Sequence, residues 1–298
     1  ELTLIDFANA ETNRLMRESG IEPYDVPPEN CHIVPPELYK KIAKGGTATT
    51  FNIKQGVIFN ASDYRANPVS FGTSTFHEIF HLKGHLSVEV EEKEEKIQRT
   101  SLPFELEEEK AKKTLRQEGV LMRAAQKHGL HSKYHEHFRG LDEAIVSAQT
   151  KKSLQKILDL PALKKEKKWL MSDKAKEIKK KLAEKKEISE DEIIWVGKEE
   201  KDYILIGYYP HRQVLDYLCA EIQKQFPDQY QNTDDVFKEF LKAHFTGQVL
   251  SIARLVEKTF GKSSFEVLGI MSDDEEIPIN IFDYLRHARV RQIKGKSK

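Results

Sequence analysis

Apolar positions in the first twenty residues recur at helical spacing, with Ile5, Ala8, Leu15 and Met16 on one side and Gly20 as a stop, which predicts a leading helix. Prolines at 23, 27, 28, 35 and 36 then hold the chain extended around Cys31–Val34. A short helix over Glu37–Ala43 follows, closed by Gly45 and Gly46. The β-prone runs Thr47–Phe51 and Val57–Asn60 flank Lys54-Gln55-Gly56 and predict a hairpin. Beyond Asn67-Pro68, the placing of Phe76, Ile79, Phe80 and Leu82 makes Phe71–Lys83 a helix that Gly84 stops. Further on, a short strand is expected over 115–123 and another helix over Leu141–Leu154.

Residues 164–187 hold eleven lysines and five acidic residues around a thin stripe of Leu170, Ile178 and Leu182, the pattern of a protruding, mostly solvated helical arm. Between Glu192 and Tyr209, the runs IIWV and YILIGYY predict a second hairpin. Three apolar helix faces follow, carried by Val214 to Phe226, Val236 to Leu241 and Val249 to Val256. The closing RHARVRQIKGKSK, with six basic side chains and no acidic one, reads as a disordered or loosely packed tail. The expected fold is therefore α+β: a core over 1–160, a charged helical arm over 161–190, a hairpin and helices over 191–270 completing the site, and an acidic then basic tail over 271–298.

Charge changes this picture little. Forty-eight basic residues balance forty-eight acidic ones, so net charge proposes no nucleic acid, anionic membrane or acidic partner. A nucleic-acid reading through the arm and tail rests on charge alone, without a run of interleaved aromatics, and is set aside. The run over 89–96 reads as a solvated surface segment. Cys31 and Cys219, distant and in no paired spacing, suggest buried reduced thiols rather than a disulfide or cysteine-built metal site. No apolar run approaches the roughly 20 residues of a membrane span, and the N-terminus has no basic-then-apolar layout. The expected compartment is the cytoplasm, with a removed leader left open by a chain that opens on Glu1. Oligomeric state has no signature.

The chemistry concentrates in His77-Glu78-Ile79-Phe80-His81. Residues i and i+4 of a helix share a face, so His77 and His81 can bring two imidazoles to one zinc ion at about 2.0–2.1 Å. Glu78, next to the first imidazole, stands where a general base must stand to take a proton from a water at that ion. The alternative for Glu78 is a capping box with Thr75, which would leave Phe71–Ser74 outside the helix. A catalytic zinc needs a third protein ligand. His85 lies past Gly84, and the position that a three-histidine motif would fill holds Ser87. Glu143, on the helix with small Ala144, Ser147 and Ala148, is the better candidate, since a packed helix buries a carboxylate only with a partner. Asp142 could orient a ligand imidazole or simply favour a helix start. His128, His131, His135 and His137 fit no closed metal site and read as a solvated loop.

HEIFH followed by a helix bearing LDEA resembles the glutamate-type zincins, the group that includes thermolysin-like peptidases, and most of all uncharacterised bacterial members of it. The resemblance spans roughly residues 30–265, with HEIFH its specific part. It implies a zincin-like core of small sheet, active-site helix and ligand helix with a mostly helical C-terminal part. One catalytic Zn²⁺ would be held by His77, His81 and Glu143, with Glu78 as general base and a peptide or protein as substrate. The group tends to use a downstream Tyr or His to stabilise the oxyanion, for which Tyr209 and His211 are the candidates. Ser147 departs from the thermolysin pattern, which has Asp there. The alternative is a non-catalytic scaffold of the same fold that uses the lysine-rich arm.

Overall fold

The computed structural model describes residues 1–43, 46–51, 55–62, 67–85, 87–91, 96–100, 134–199, 201–272 and 276–296. In chain order the elements are α1 (Leu2–Glu18), β1 (Cys31–Val34), α2 (Pro36–Ile42), β2 (Ala48–Phe51), β3 (Gly56–Asn60), α3 (Pro68–Lys83), β4 (Ser87–Glu91), β5 (Lys96–Thr100) and β6 (Tyr134–His137). They continue with α4 (Arg139–Leu158), α5 (Lys164–Leu170), α6 (Asp173–Lys186), β7 (Ile193–Val196) and β8 (Tyr203–Leu205). The chain closes with α7 (Tyr209–Gln225), α8 (Thr233–Thr246), α9 (Leu250–Phe260), α10 (Ser264–Gly269) and α11 (Glu276–Lys296). The fold is mixed α+β and mainly helical, and the strands among the described residues form three small sheets. The strand expected over 115–123, with His128 and His131, lies outside the described residues.

Two compact units share the chain. The first comprises Glu1–Glu18, Glu22–Lys83 and Val146–Gly207. Its sheet has the order β1-β3-β2, with β1 parallel and β2 antiparallel to β3, so the predicted hairpin forms and β2 is an end strand among the described residues. Helix α3 begins at Pro68, three residues before its expected start, because Asn67 caps it: the Asn67 side-chain oxygen accepts from the N–H groups of Val69 (3.0 Å) and Ser70 (3.1 Å). The Thr75–Glu78 capping box is thereby excluded, and the Thr75 hydroxyl instead donates to Phe71 O at 2.8 Å inside the helix. Phe76, Ile79 and Phe80 are fully buried, Phe76 against Phe7 of α1 (ring centroids 6.3 Å apart) and against Phe80 (5.9 Å). Gly72 permits the close approach of three helices: a Cβ there would sit 3.1 Å from Ile157 of α4 and 3.2 Å from Leu4 of α1. Glu11, buried on α1, meets Lys156 of α4 at 2.6 Å and Arg14 at 2.8 Å.

The lysine-rich segment is two helices rather than a protruding arm. It breaks at Met171–Ser172, where Ser172 caps α6. Ala175, Ile178, Leu182 and Ala183 pack on Ile193 and Val196 of β7, so the thin apolar stripe covers the second hairpin, which pairs antiparallel as expected.

The second unit comprises Ser19–Ile21, Gly84–Ile145 and Tyr208–Lys298. Its sheet has the order β4-β5-β6, antiparallel then parallel. Helix α7 buries Val214, Leu215, Leu218 and Ile222, packing on α8, α9 and α11. The segment expected as a loose basic tail is helical as far as Lys296: Leu285 and Ala288 of α11 are buried, and Arg289 donates to Glu221 (2.9 Å) and Gln225 (3.0 Å) of α7. Neither Cys31 nor Cys219 is in a disulfide; Cys219 is buried and Cys31 half-buried, with burial pushing the Cys31 thiol up to about 11.

Candidate metal centre

Helix α3 turns its aromatic face inward, which leaves His77, Glu78 and His81 on a half-buried face. The two imidazoles lie edge to face, and their Nε2 atoms are 3.1 Å apart. Two nitrogens bound about 2.05 Å from one tetrahedral ion would be separated by about 3.3 Å, so the pair is already close to ligand spacing.

A third candidate donor, Glu143, stands on helix α4. From Leu141 to Thr150 every residue except Asp142 is buried, which small Ala144, Ser147 and Ala148 make possible. Most of this unbroken helix, from Val146 onward, belongs to the first unit, and Glu143 stands less than one turn before Val146. The ligating atoms of His77, His81 and Glu143 all lie within 4.8 Å of one another, the one such group among the described residues. Two imidazole nitrogens and a buried carboxylate oxygen form the borderline donor set that zinc accepts, and a divalent cation would compensate the charge of a carboxylate only 9% exposed.

Glu78 is not part of that group. Its carboxylate accepts from the hydroxyl of Thr50 on β2, and the same hydroxyl reaches Glu78 O at 3.2 Å. Thr50 is a partner that the linear pattern does not disclose: it was visible only as one β-prone residue in the hairpin before the motif.

The start of α4 is fixed within the second unit. Phe138 N–H donates to Gly269 O (2.8 Å) and Gly140 N–H to Met271 O (2.7 Å), so closely that a Cβ on Gly140 would lie 2.5 Å from Ser272 O. Asp142 accepts from Nδ1 of His244, a buried residue of α8, at 2.7 Å. Asp142 stands in the first turn of α4, as the helix-start reading expects, and the imidazole it holds is that of His244, outside the metal group. The main-chain oxygen of His244 also takes the N–H of His85 at 2.7 Å. His85 stands outside the metal group, and burial together with neighbouring His244 lowers its pKa. No match was found for this chain among protein-family models, curated proteins or solved structures.

Tyr209 and His211, the oxyanion candidates, lie in the first turn of α7. His211 is fully buried and its Nε2 donates to Ser272 O at 2.7 Å, beside the anchor of Gly140. The Tyr209 hydroxyl accepts from Gln213 at 3.1 Å, and Arg212 lies 5.7 Å from its ring centre. Ser147 donates to Gly207 O at 2.7 Å, so this position ties α4 to the chain before α7. His135 and His137, expected in a solvated loop, stand instead on strand β6, which pairs with β5, and the metal group does not include His137.

Proposed function

We propose that the chain is a zinc-dependent metallopeptidase of the glutamate-type zincin kind. The observation that carries this reading is the convergence of His77, His81 and Glu143, with Glu78 in the next helix position and held by Thr50. Zinc held by these three residues would supply Lewis acidity toward the scissile carbonyl and a water of pKa near about 7. Glu78 would serve as general base, accepting a proton from the attacking water and giving it back to the amide nitrogen as the C–N bond breaks. Thr50 holds the carboxylate in place for both transfers. Because β2 is an end strand among the described residues and carries Thr50, an extended substrate pairing along β2 would run past Glu78.

The experiment is cleavage of a broad peptide library by the zinc-loaded full chain beside zinc-loaded Glu78→Gln. The wild type should cleave, and the variant should be slower by about 10²–10⁴-fold at equal zinc content. Equal rates in the two proteins, or no cleavage by a zinc-bound wild type, would sink the peptidase reading in favour of a scaffold.

A further inference from the structure

The first unit contains a cavity of about 840 Å³ that the peptidase reading does not use. It opens beside Asn67 and Pro68, nine residues and about 13 Å along α3 from His77. Its aromatic walls are Trp169 of α5 and Trp195 of β7, which are the only two tryptophans of the chain. Trp169 packs on the apolar cluster beneath α6, and its indole N–H donates to Val196 O at 2.7 Å, so the ring is held in one orientation. Both indoles are half-buried, and Lys165, Lys198 and Lys201 share the cavity lining with Glu166, Glu199 and Asp202. Lys201 is paired with Glu199 at 3.0 Å, whereas Lys165 and Lys198 are exposed.

That lining discriminates among ligand chemistries. A purely apolar ligand would strip water from six charged groups. A cation would find two π faces but also three lysines. A bare anion would leave both indoles unused, and the end of α3 offers it little, because Asn67 already accepts from the first free N–H groups. A nucleobase carrying a phosphate matches every component: a π face on indole, amino groups toward carboxylates, and phosphate toward Lys165 and Lys198. Further phosphates of a strand would meet residues 164–187, where eleven lysines outnumber five acidic residues. The fold thus brings to the lysines of α5 a second aromatic, Trp195, that lies 26 positions away in sequence.

We propose that the Trp169–Trp195 cavity binds a nucleobase together with its phosphate, as a free nucleotide or as part of a single strand. The inference is independent of the metal centre. Because the cavity holds both tryptophans, intrinsic fluorescence of the full chain reports its occupancy directly. Titration with AMP and with a single-stranded 12-mer of deoxyadenylate should give saturable quenching from at least one of them, and tripolyphosphate, which has charge without a base, should give none. Quenching by AMP as tight as by the 12-mer assigns a free nucleotide, and quenching by the 12-mer alone assigns a strand. The double variant Lys165→Glu, Lys198→Glu changes exposed residues only and should weaken binding at least tenfold. For the strand it should also flatten the slope of log K against log salt by about 1.4, at about 0.7 per lost phosphate contact. No quenching by AMP or the 12-mer up to millimolar concentration at low salt would overturn the proposal, as would equal quenching by tripolyphosphate or unchanged affinity in the double variant.

Discussion

Thr50 decides where the Glu78 carboxylate points. A hydrogen bond to a charged group contributes about 1.5–3 kcal/mol, so its loss should be felt in any proton transfer that Glu78 performs. Thr50→Val keeps the β-branched shape on β2 and is expected to lower kcat about tenfold or more with KM and zinc content little changed; steady-state kinetics with metal analysis checks this. An unaltered kcat would remove Thr50 from the site. At this scale the grouping of His77 with His81 is legible in local spacing, and that of Glu143 with them in a carboxylate that a helix of small residues buries only with a partner. Thr50 and the Asp142–His244 pair were hidden, since each joins residues 28 and 102 positions apart, a distance that no periodicity encodes.

Helix packing sets the precision of those residues. Gly72 on α3 faces Ile157 and Leu4 at distances that leave no room for a longer side chain. Gly72→Leu should destabilise the chain by about 1–3 kcal/mol through overpacking and weaken zinc binding by displacing α3 from α4. Urea unfolding and a zinc titration read the two effects, and loss of neither would mean that α3 and α4 are not tightly packed. The ion pair of Glu11 with Lys156 joins α1 to α4. Burial pushes the Glu11 pKa up, but hydrogen bonds and charge from Arg14 and Lys156 outweigh it and hold the folded value below the ordinary one. A carboxylate depressed in this way contributes stability above its unfolded pKa of about 4.3 and loses that contribution as pH falls through the folded value. Glu11→Gln should therefore be less stable than wild type at pH 7, with the gap closing below about pH 4; denaturant unfolding at pH 7 and pH 3.5 measures both, and an equal gap at the two values would contradict it. Element types were legible from apolar spacing, including α1, both hairpins and α7 to α9. Their environments were not: the stripe on α6 gives no hint of its cover on β7, and the charges of α11 conceal that Arg289 pairs with Glu221.

For the whole molecule, a metal bound at the proposed site would be a stability term as well as a catalytic one. Zinc that binds the folded chain alone should stabilise it by about 2.7 kcal/mol at a free concentration 100 times Kd. No helix among the described residues is long and apolar enough to cross a membrane, in keeping with the expectation from hydropathy. The way α1, α3 and the body of α4 come into one unit was beyond the reach of linear pattern, because Glu1–Glu18 and Val146–Gly207 lie far apart in sequence. The account stands or falls on what occupies the His77–His81–Glu143 group. X-ray absorption at the zinc edge of the zinc-titrated full chain, beside Glu143→Ala, tests it most directly. One zinc per chain is predicted, with imidazole nitrogens at about 2.0–2.1 Å, a carboxylate oxygen at about 2.0–2.2 Å and no sulfur shell, and with the oxygen contribution altered in the variant. A chain that takes up no zinc, a sulfur shell, or an identical spectrum from Glu143→Ala would contradict it.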